Sequence, residues 1–323
     1  MWLTILKRLV QAVPTIIGVT ILVFLLMSKT GDPVKNLLGP EASPEEIQQL
    51  RRELKLDRPL YERYLGWVSG AVRFDFGKSY SDPKQDVGPL IPPKVLATLE
   101  LATVTMFVAT VVALFVGVFS AAKPGGLFDG LSRTMIFVFL AMPSFWLGIE
   151  LIILFSRKVP LFPPAGKSDL PFFTLEGLKS HFSHLALPVM TLGIGTGAAL
   201  CRVLRASMLE VLHADFVRTA KAKGLSGRTV LIKHAFRNAL IPFVTLSALT
   251  FAGLLEGSII VETVFAWPGM GRQMVEAIKG RDAPIAMAGV LLAAMLYVTI
   301  NLIVDVLYVV IDPRVRLDGG AAK

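Results

Sequence analysis

The sequence is poor in the side chains that covalent cross-links, metal sites and most catalysis depend on. Its 323 residues include one cysteine, Cys201, and four histidines, so the chain can form no internal disulfide. His181 and His184 are the only close histidine pair. They have no third ligand near them in sequence, and no H-E-x-x-H motif occurs. We interpret His181 and His184 as belonging to an interfacial loop rather than to a metal site.

A complete phosphate-binding loop is also missing. The motif G-x-x-x-x-G-K-[ST] needs a glycine five residues before G-K-[ST]. The fragments Gly77–Ser79 and Gly166–Ser168 have Val72 and Leu161 at that position. We therefore expect no ATP hydrolysis and no bound cofactor in this chain. The basic residues are not interleaved with aromatic ones, so nucleic acid is not an expected partner. With no histidine in an apolar centre, an intramembrane protease is not indicated either.

Charge is scarce as well, and long apolar runs replace it. Charged residues make up 18% of the chain and hydrophobic residues 54%, beyond the usual composition of a soluble domain. About 20 mostly apolar residues cross a bilayer as a helix. The stretches that meet this requirement are 9–28, 95–121, 133–156, 185–206, 238–262 and 284–311. The sequence predicts an all-α integral membrane protein with six transmembrane helices.

The basic residues at the ends of these stretches indicate the topology. Lys and Arg are retained on the cytoplasmic side of a membrane. Six of them fall on one side of the predicted membrane: Lys7, Arg8, Lys123, Arg133, Arg314 and Arg316. We expect a multi-pass protein of a bacterial or archaeal cytoplasmic membrane with both termini in the cytoplasm. The apolar core of residues 1–28 is longer than that of a signal peptide, and Leu26-Met27-Ser28-Lys29 offers no small-x-small cleavage site, so we expect a retained signal anchor.

The spans divide the chain into segments. We expect a first segment and span at 1–28, an extracytoplasmic segment at 29–94, a five-helix core at 95–311 that includes a cytoplasmic coupling loop at 207–237, and a cytoplasmic tail at 312–323. Within the outer segment, Ser43-Pro44-Glu45-Glu46 is typical of a capped helix start, and an amphipathic stretch follows from Pro59 to about Phe74.

Polar residues inside or beside the spans are candidates for a pathway or gate, because ionisable groups in a membrane are costly and often functional. The alternative is that they form interhelical hydrogen bonds that stabilise packing. The candidates in spans three, five and six are Glu150, Glu256, Glu262, Asn301 and Asp305. Glu262 lies near the outer interface, where simple solvation is a further alternative.

A turn after span five adds three more candidates. Trp267 suits a membrane interface, and Pro268 and Gly269 cannot continue a regular helix. The turn is either a re-entrant piece beside the pathway or an interfacial turn, and the sequence does not separate the two.

The most informative segment is residues 215–242, which we call the basic island. It carries six Lys or Arg against one acid, Asp215, and Ala220 and Gly224 are small residues spaced i, i+4. We expect a short cytoplasmic helix at about 215–225 whose small face admits a partner protein. The predicted contact residues are Asp215, Arg218, Thr219, Ala220, Lys221, Lys223, Gly224 and Leu225.

The basic island resembles the EAA loop of ABC-importer permeases, which contacts the ATPase subunit. Arg218-Thr219-Ala220 and Gly224 match E-A-A-x-x-x-G with the second Ala and the Gly kept. Further segments, in order along the chain, look like the first of the paired permeases of the dipeptide/oligopeptide/nickel family. They are Gly31–Pro33, Leu56–Leu60, Asp75–Ser79, Thr98–Leu101, Met142–Trp146, Glu262–Gly271 and Asp312–Arg314.

This resemblance implies the ABC type I importer permease fold and one half of a heterodimeric translocation pathway. The implied partners are a second permease, two ATPase subunits that hold ATP and Mg²⁺, an extracytoplasmic binding protein and membrane lipid. ATP-driven alternating access would carry di- or oligopeptides. Nickel chelates, glutathione and other small solutes stay open as cargo. An ATP-independent carrier and a structural membrane protein are the rival functions.

Overall fold

The computed structural model describes residues 2–29, 34, 38, 42–82 and 84–311, with 2–9, 256, 257 and 305–311 described by backbone alone. Two of the family-like segments, Gly31–Pro33 and Asp312–Arg314, lie outside the described residues. In chain order the helices are α1 (Trp2–Lys29), α2 (Pro44–Glu53), α3 (Leu60–Ala71), α4 (Val87–Ala122), α5 (Leu127–Ala141), α6 (Ser144–Ile152), α7 (Leu175–Leu212), α8 (Asp215–Ala222), α9 (Arg237–Val264), α10 (Met270–Lys279) and α11 (Ala283–Ile311). The π-helical turns Ile153–Lys158 and Val230–Phe236 follow α6 and precede α9.

Among the described residues, five helices are long and apolar enough to cross a membrane. Helix α5 and the continuous stretch Ser144–Lys158 pass the same test together as one bent pair. The predicted number of six spans is therefore reached when the bent pair crosses as one.

The third predicted span, residues 133–156, is not a single straight helix. It consists of two helical halves, and the chain bends by 102° between them. Met142 adopts an extended backbone at ψ 126°, because the ring of a following proline disfavours the helical conformation. Pro143 also lacks the N–H that a continuous helix requires. The bend is thus local in origin, although the apolar composition runs through it.

The chain divides into two compact units, of which the first comprises residues 1–98 and 268–300. Its buried core is a mixed apolar cluster: Met27, Phe76, Val87, Ile91, Met270, Ala277, Ile285, Ala286 and Ala288. The buried Asp282 caps the start of α11 by accepting the Ile285 N–H at 3.3 Å, and its carboxylate also accepts the Ser79 hydroxyl. This carboxylate fixes the loop before α4 to the start of α11.

The predicted capped helix in the outer segment is confirmed. Helix α2 begins after Ser43, whose Oγ accepts the Glu46 N–H at 3.3 Å, and Glu46 accepts the Ser43 N–H at 2.9 Å. Pro44 occupies the first helical position. The amphipathic stretch also folds as predicted, as α3. These elements form where expected because capping depends on residues that are neighbours in sequence.

Lowering the pH is expected to loosen the first turn of α2. The hydrogen bonds from the Ser43 backbone and side chain lower the pKa of Glu46. A carboxylate with a lowered pKa stabilises the fold fully above its unfolded-state pKa and loses that effect as the pH falls through the folded-state value. Amide hydrogen exchange at residues 46–48, corrected for intrinsic rates, measures this loss.

Two variants test the assignment. Glu46→Gln should remove the pH dependence, because a neutral amide can still accept the cap bond. Glu45→Gln, on the same turn, should keep it. A pH dependence that survives in Glu46→Gln contradicts the assignment.

The second unit comprises residues 99–267 and 301–323. Helix α7 packs against α5, α6 and α9, and small side chains allow close approach. A Cβ built on Gly197 of α7 would lie 3.7 Å from Ala109 of α4, and one on Gly117 would lie 3.1 Å from Leu204. The buried core is dominated by alanine and leucine: Ala109, Ala113, Ala121, Ile136, Ala198, Leu200, Cys201, Leu204, Met208, Ala235, Ala239 and Phe243. Small residues at helix contacts are typical of membrane proteins.

Candidate functional site

Helix α8, within the basic island, is amphipathic, and its small face is turned inward. Val217 is fully buried and Ala220 is 7% exposed. Both pack with Val230, which begins the turn before α9. The expectation that Ala220 lies on an open small face is therefore wrong: the alanine packs within this chain, against Val230.

The opposite face of α8 is open and basic. Arg218, Lys221 and Lys223 are exposed there, flanked by the apolar Phe216 at 47% exposure and Leu225 at 41%. Arg218 Nη1 lies 3.6 Å from Asp215 Oδ1, with both side chains largely in solvent. Such a solvent-exposed ion pair contributes little to the stability of the fold. This face has the composition of a protein-docking surface, with cations between two apolar anchors.

Gly224 ends α8 with a left-handed backbone, at φ +82°. Its N–H reaches the Lys221 carbonyl at 2.9 Å, and the Leu225 N–H reaches Ala220 at 3.3 Å. A Cβ at this position would meet nothing within 4 Å in this chain. The glycine is required here by its backbone conformation, since other residues rarely adopt positive φ at a helix end.

A carboxylate on α4 gathers two basic side chains, a group we call the Glu100 cluster (Glu100, Lys167 and His181). Lys167 Nζ donates to Glu100 Oε2 at 2.5 Å, and His181 Nε2 contacts Glu100 Oε1. Both histidines lie within α7 and not in the predicted interfacial loop, and His184 Nδ1 lies 2.7 Å from the Ser180 carbonyl. In the described part of the chain, no group of three or more His, Cys, Asp and Glu is placed to hold a metal. The cluster instead ties together α4, the loop after α6 and the start of α7.

Neutralising Glu100 is expected to loosen that loop. Glu100→Gln removes the charge that holds Lys167, and partly exposed pairs contribute about 1 kcal/mol. Amide exchange at residues 166–168 should then rise about fivefold. Glu176→Gln removes an exposed carboxylate at the start of α7 and should leave the loop unchanged. Equal exchange rates in both variants contradict a role for the Glu100 cluster.

Trp267, whose turn the sequence left open between a re-entrant piece and an interfacial turn, is buried within this chain. Its side chain has no exposed surface, and Lys167 Nζ lies 5.4 Å from its ring centroid. The Gly166 N–H donates to the Phe265 carbonyl at 2.8 Å, and the Trp267 backbone N–H donates to the Glu262 backbone carbonyl at 2.8 Å. The loop after α6 therefore packs on the turn after α9, and a cation over an indole ring adds to this contact.

The other pathway candidates have diverse surroundings. Glu262 is fully buried rather than solvated, and the Ser258 hydroxyl donates to it at 3.1 Å. Glu150 is exposed, Asn301 and Pro268 are half-buried, and Gly269 is buried. Glu256 and Asp305 lie outside the residues whose side chains are described. Glu262 and Trp267 share one turn, but the structure does not gather all the candidates at one place.

An open cavity of about 380 Å³ lies in the second unit beside the bend between α5 and α6. Hydroxyls contributed by α6, α7 and α9 (Ser144, Thr191, Thr196 and Thr250) line it together with Gly195, Gly253 and apolar side chains. Sequence reasoning missed these residues, because single hydroxyls in apolar helices are unremarkable one by one. The usable signal was Pro143, since interrupted spans tend to lie beside substrate sites.

A buried ion pair was also missed. Asp129 of α5, 1% exposed, accepts Arg205 Nε at 2.6 Å and Nη2 at 2.9 Å. Ser120 and the Gly125 N–H also donate to this carboxylate, at 2.5 and 2.9 Å. The pair joins the end of α4 and the start of α5 to α7. An arginine at the end of an apolar run was its signal in the sequence.

Comparison with known proteins shows the family. Residues 113–317 match the family described as binding-protein-dependent transport system inner membrane component, and residues 1–86 match its N-terminal counterpart. The dipeptide transport system permease protein DppB of Escherichia coli (strain K12) is 40% identical, covering 97% of this chain and 98% of the relative. The glutathione transport system permease protein GsiC of the same strain is 38% identical, with the same coverage.

Solved structures agree on the fold. The MetNI methionine ABC transporter, in inward-facing conformations, has a chain with a TM-score of 0.56 at 19% identity, covering 69% of this chain and 96% of that one. An amino acid ABC transporter with histidines has a TM-score of 0.52 at 14% identity, covering 68% and 93%. The chain thus belongs to the inner-membrane components of binding-protein-dependent transport systems, as a multi-pass, non-catalytic permease subunit of an ABC importer whose ATPase is a separate subunit.

Proposed function

We propose that this permease forms one half of the pathway of a di- or oligopeptide importer. The other half is a second permease, so that the subunits form a heterodimer with two ATPase subunits and an extracytoplasmic binding protein. The 40% identity to a dipeptide permease over nearly the whole chain carries this proposal. Glutathione, itself a small peptide, is the second candidate cargo, because a glutathione permease is 38% identical.

Coupling to ATP takes place at α8. Its exposed basic face docks on the ATPase, with Arg218, Lys221 and Lys223 meeting carboxylates or carbonyl groups there. On the buried face, Val217 and Ala220 pack on the turn that leads into α9. The packing of α7 against α9 then makes these two long helices move together. Closure of the ATPases displaces α8 and rocks the spans, as alternating access requires.

Cargo passes the cavity at the bend between α5 and α6. Its hydroxyls can donate to and accept from peptide groups, and its glycines, Gly195 and Gly253, leave room for a moving solute. Such a lining recognises backbone rather than one side chain, which suits peptides of varied sequence. The Glu100 cluster and the turn after α9, which carries Trp267, limit the access of cargo to the outer end of the pathway. Glu150, Glu256, Asn301 and Asp305 stay candidates for the pathway or its gate.

The topology is part of the proposal. The basic island lies in the cytoplasm, together with both termini, because basic residues near span ends are retained on that side. The segment before α4 then faces outward, where a binding protein delivers cargo.

ATP-dependent uptake tests the proposal. Membrane vesicles carrying this chain and the products of its neighbouring genes are offered di- to pentapeptides, glutathione and Ni²⁺, with an inactive ATPase variant as the control. Peptide accumulation that requires the active ATPase supports the proposal. Glutathione alone would select the second candidate, whereas nickel alone would contradict peptide cargo. Accumulation with the inactive ATPase would contradict the coupled mechanism.

A further inference from the structure

The first unit contains a larger cavity, of about 970 Å³, at the end of α1 and the start of α11. Helices α2 and α3 and the Phe76–Tyr80 loop complete its wall. The long apolar helices α1 and α11 have their ends here. The cavity therefore lies at the level where these helices leave the hydrocarbon.

The wall of this cavity is strongly basic. Against two carboxylates, Glu53 and Glu62, it presents six cationic side chains: Arg51, Lys55, Arg58, Arg63, Lys78 and Arg281. This excess favours an anionic occupant, because like charges gathered at a partly desolvated surface are stabilised by a counter-charge.

Two aromatic residues add hydrogen-bond donors. The Trp67 indole N–H is buried and has no hydrogen-bond partner among the described residues, although buried tryptophans usually find one. Tyr80 pairs with Arg63, and burial raises the pKa of its phenol, so the hydroxyl stays protonated at neutral pH. A ligand oxygen would satisfy the indole donor.

The floor of the cavity is apolar and comes from the spans. Phe24 and Met27 of α1 and Met287 of α11 line it and are buried. A soluble anion such as phosphate would gain nothing from this floor. A molecule with a charged head and a hydrocarbon body would use both parts.

Helix α3 has the character of a helix that lies in the headgroup layer. Leu60, Tyr61 and Leu65 are 47%, 65% and 61% exposed, while Arg63 and Trp67 of the same helix line the cavity. Amphipathic helices with exposed apolar residues and basic partners lie in membrane interfaces. The composition of α3 therefore suits a position in the headgroup layer.

We propose that this cavity binds an anionic glycerophospholipid. The phosphate is held by the basic wall and the Trp67 N–H, and the first carbons of the acyl chains lie on Phe24, Met27 and Met287. The proposal does not depend on the cargo, because it concerns the membrane that surrounds the permease.

Native mass spectrometry of the purified transporter complex tests this directly. The complex is reconstituted with phosphatidylglycerol or phosphatidylcholine, and the retained lipid is counted. We expect the wild type to retain phosphatidylglycerol preferentially. Arg58→Gln with Lys78→Gln should weaken that retention by on the order of tenfold, because basic residues near a membrane surface each add to the binding of anionic lipid.

The matched control removes two charges outside the cavity. Arg73→Gln with Lys84→Gln neutralises two exposed residues of the same segment and should retain phosphatidylglycerol like the wild type. Equal loss in both double variants, or no preference for phosphatidylglycerol in the wild type, would overturn the proposal. Displacement of the lipid by inorganic phosphate or by a short acidic peptide at equal concentration would also overturn it, since the site would then recognise soluble anions.

Discussion

Replacing Arg205 by methionine is expected to lower the free energy of unfolding by about 3 kcal/mol. The substitution keeps the length of the side chain but leaves the Asp129 carboxylate buried, with Ser120 and the Gly125 N–H as its neutral donors. Removing one partner of a buried pair strands a charge that has already lost its hydration. Arg205 retains 18% exposure, so we expect the low end of the range. The midpoint of chemical unfolding in detergent measures the loss.

Arg133 provides the matched control for this prediction. Its Nε lies 3.7 Å from the same carboxylate, but its side chain is 53% exposed. Arg133→Met should therefore cost less than about 1 kcal/mol.

The double variant Asp129→Ala with Arg205→Met should be more stable than Arg205→Met alone, because it leaves no unpaired charge. Equal losses of unfolding free energy in Arg205→Met and Arg133→Met would show that the buried pair stabilises the fold no more than the exposed one.

Gly224→Asp is expected to reduce ATP-dependent uptake at least tenfold while the complex still assembles. Aspartate tolerates positive φ better than most residues, and a Cβ at this position meets nothing within 4 Å. The damage should therefore arise at the partner surface, where the substitution adds bulk and a negative charge beside Lys221 and Lys223. Uptake in vesicles, normalised to the amount of assembled complex, is the measurement.

Gly224→Asn separates bulk from charge. Asparagine has nearly the same size and also tolerates positive φ, so its uptake should lie between that of wild type and Gly224→Asp. Gly224→Val strains the backbone instead, and should lower stability by about 1–2 kcal/mol. Normal uptake by an assembled Gly224→Asp complex would remove α8 from the coupling mechanism.

Local features of this chain were predictable because the interactions that produce them span few residues. The Ser43–Glu46 capping box and the amphipathic α3 follow from such short-range contacts. The apolar runs were equally readable, because the hydrocarbon selects for average composition over about 20 residues. The family resemblance was readable for a different reason, since short motifs recur in order along the chain.

Average composition did not reveal the bend in the third predicted span. The run through residues 133–156 is apolar throughout, so it was predicted as one span, although Pro143 splits it into two helices at 102°. For Trp267 the sequence left an interfacial turn and a re-entrant piece open, whereas packing against the loop after α6 buries its side chain. Glu262, for which solvation was one alternative, is buried with its carboxylate accepting from Ser258. Ala220 was assigned to an open face because spacing alone does not tell which side of a short helix meets its own chain.

The sequence by itself determined that this protein is an all-helical membrane permease and where its apolar stretches and its basic residues lie along the chain, because these depend on composition and on residues close together in the chain. Tertiary structure alone decided that Asp129 meets Arg205 across 76 positions, that Glu100 gathers Lys167 and His181, and which face of α8 is open. The physical reason is that burial and pairing between distant residues depend on how the helices pack. Such contacts join residues at arbitrary separations, so they produce no recognisable pattern in the sequence.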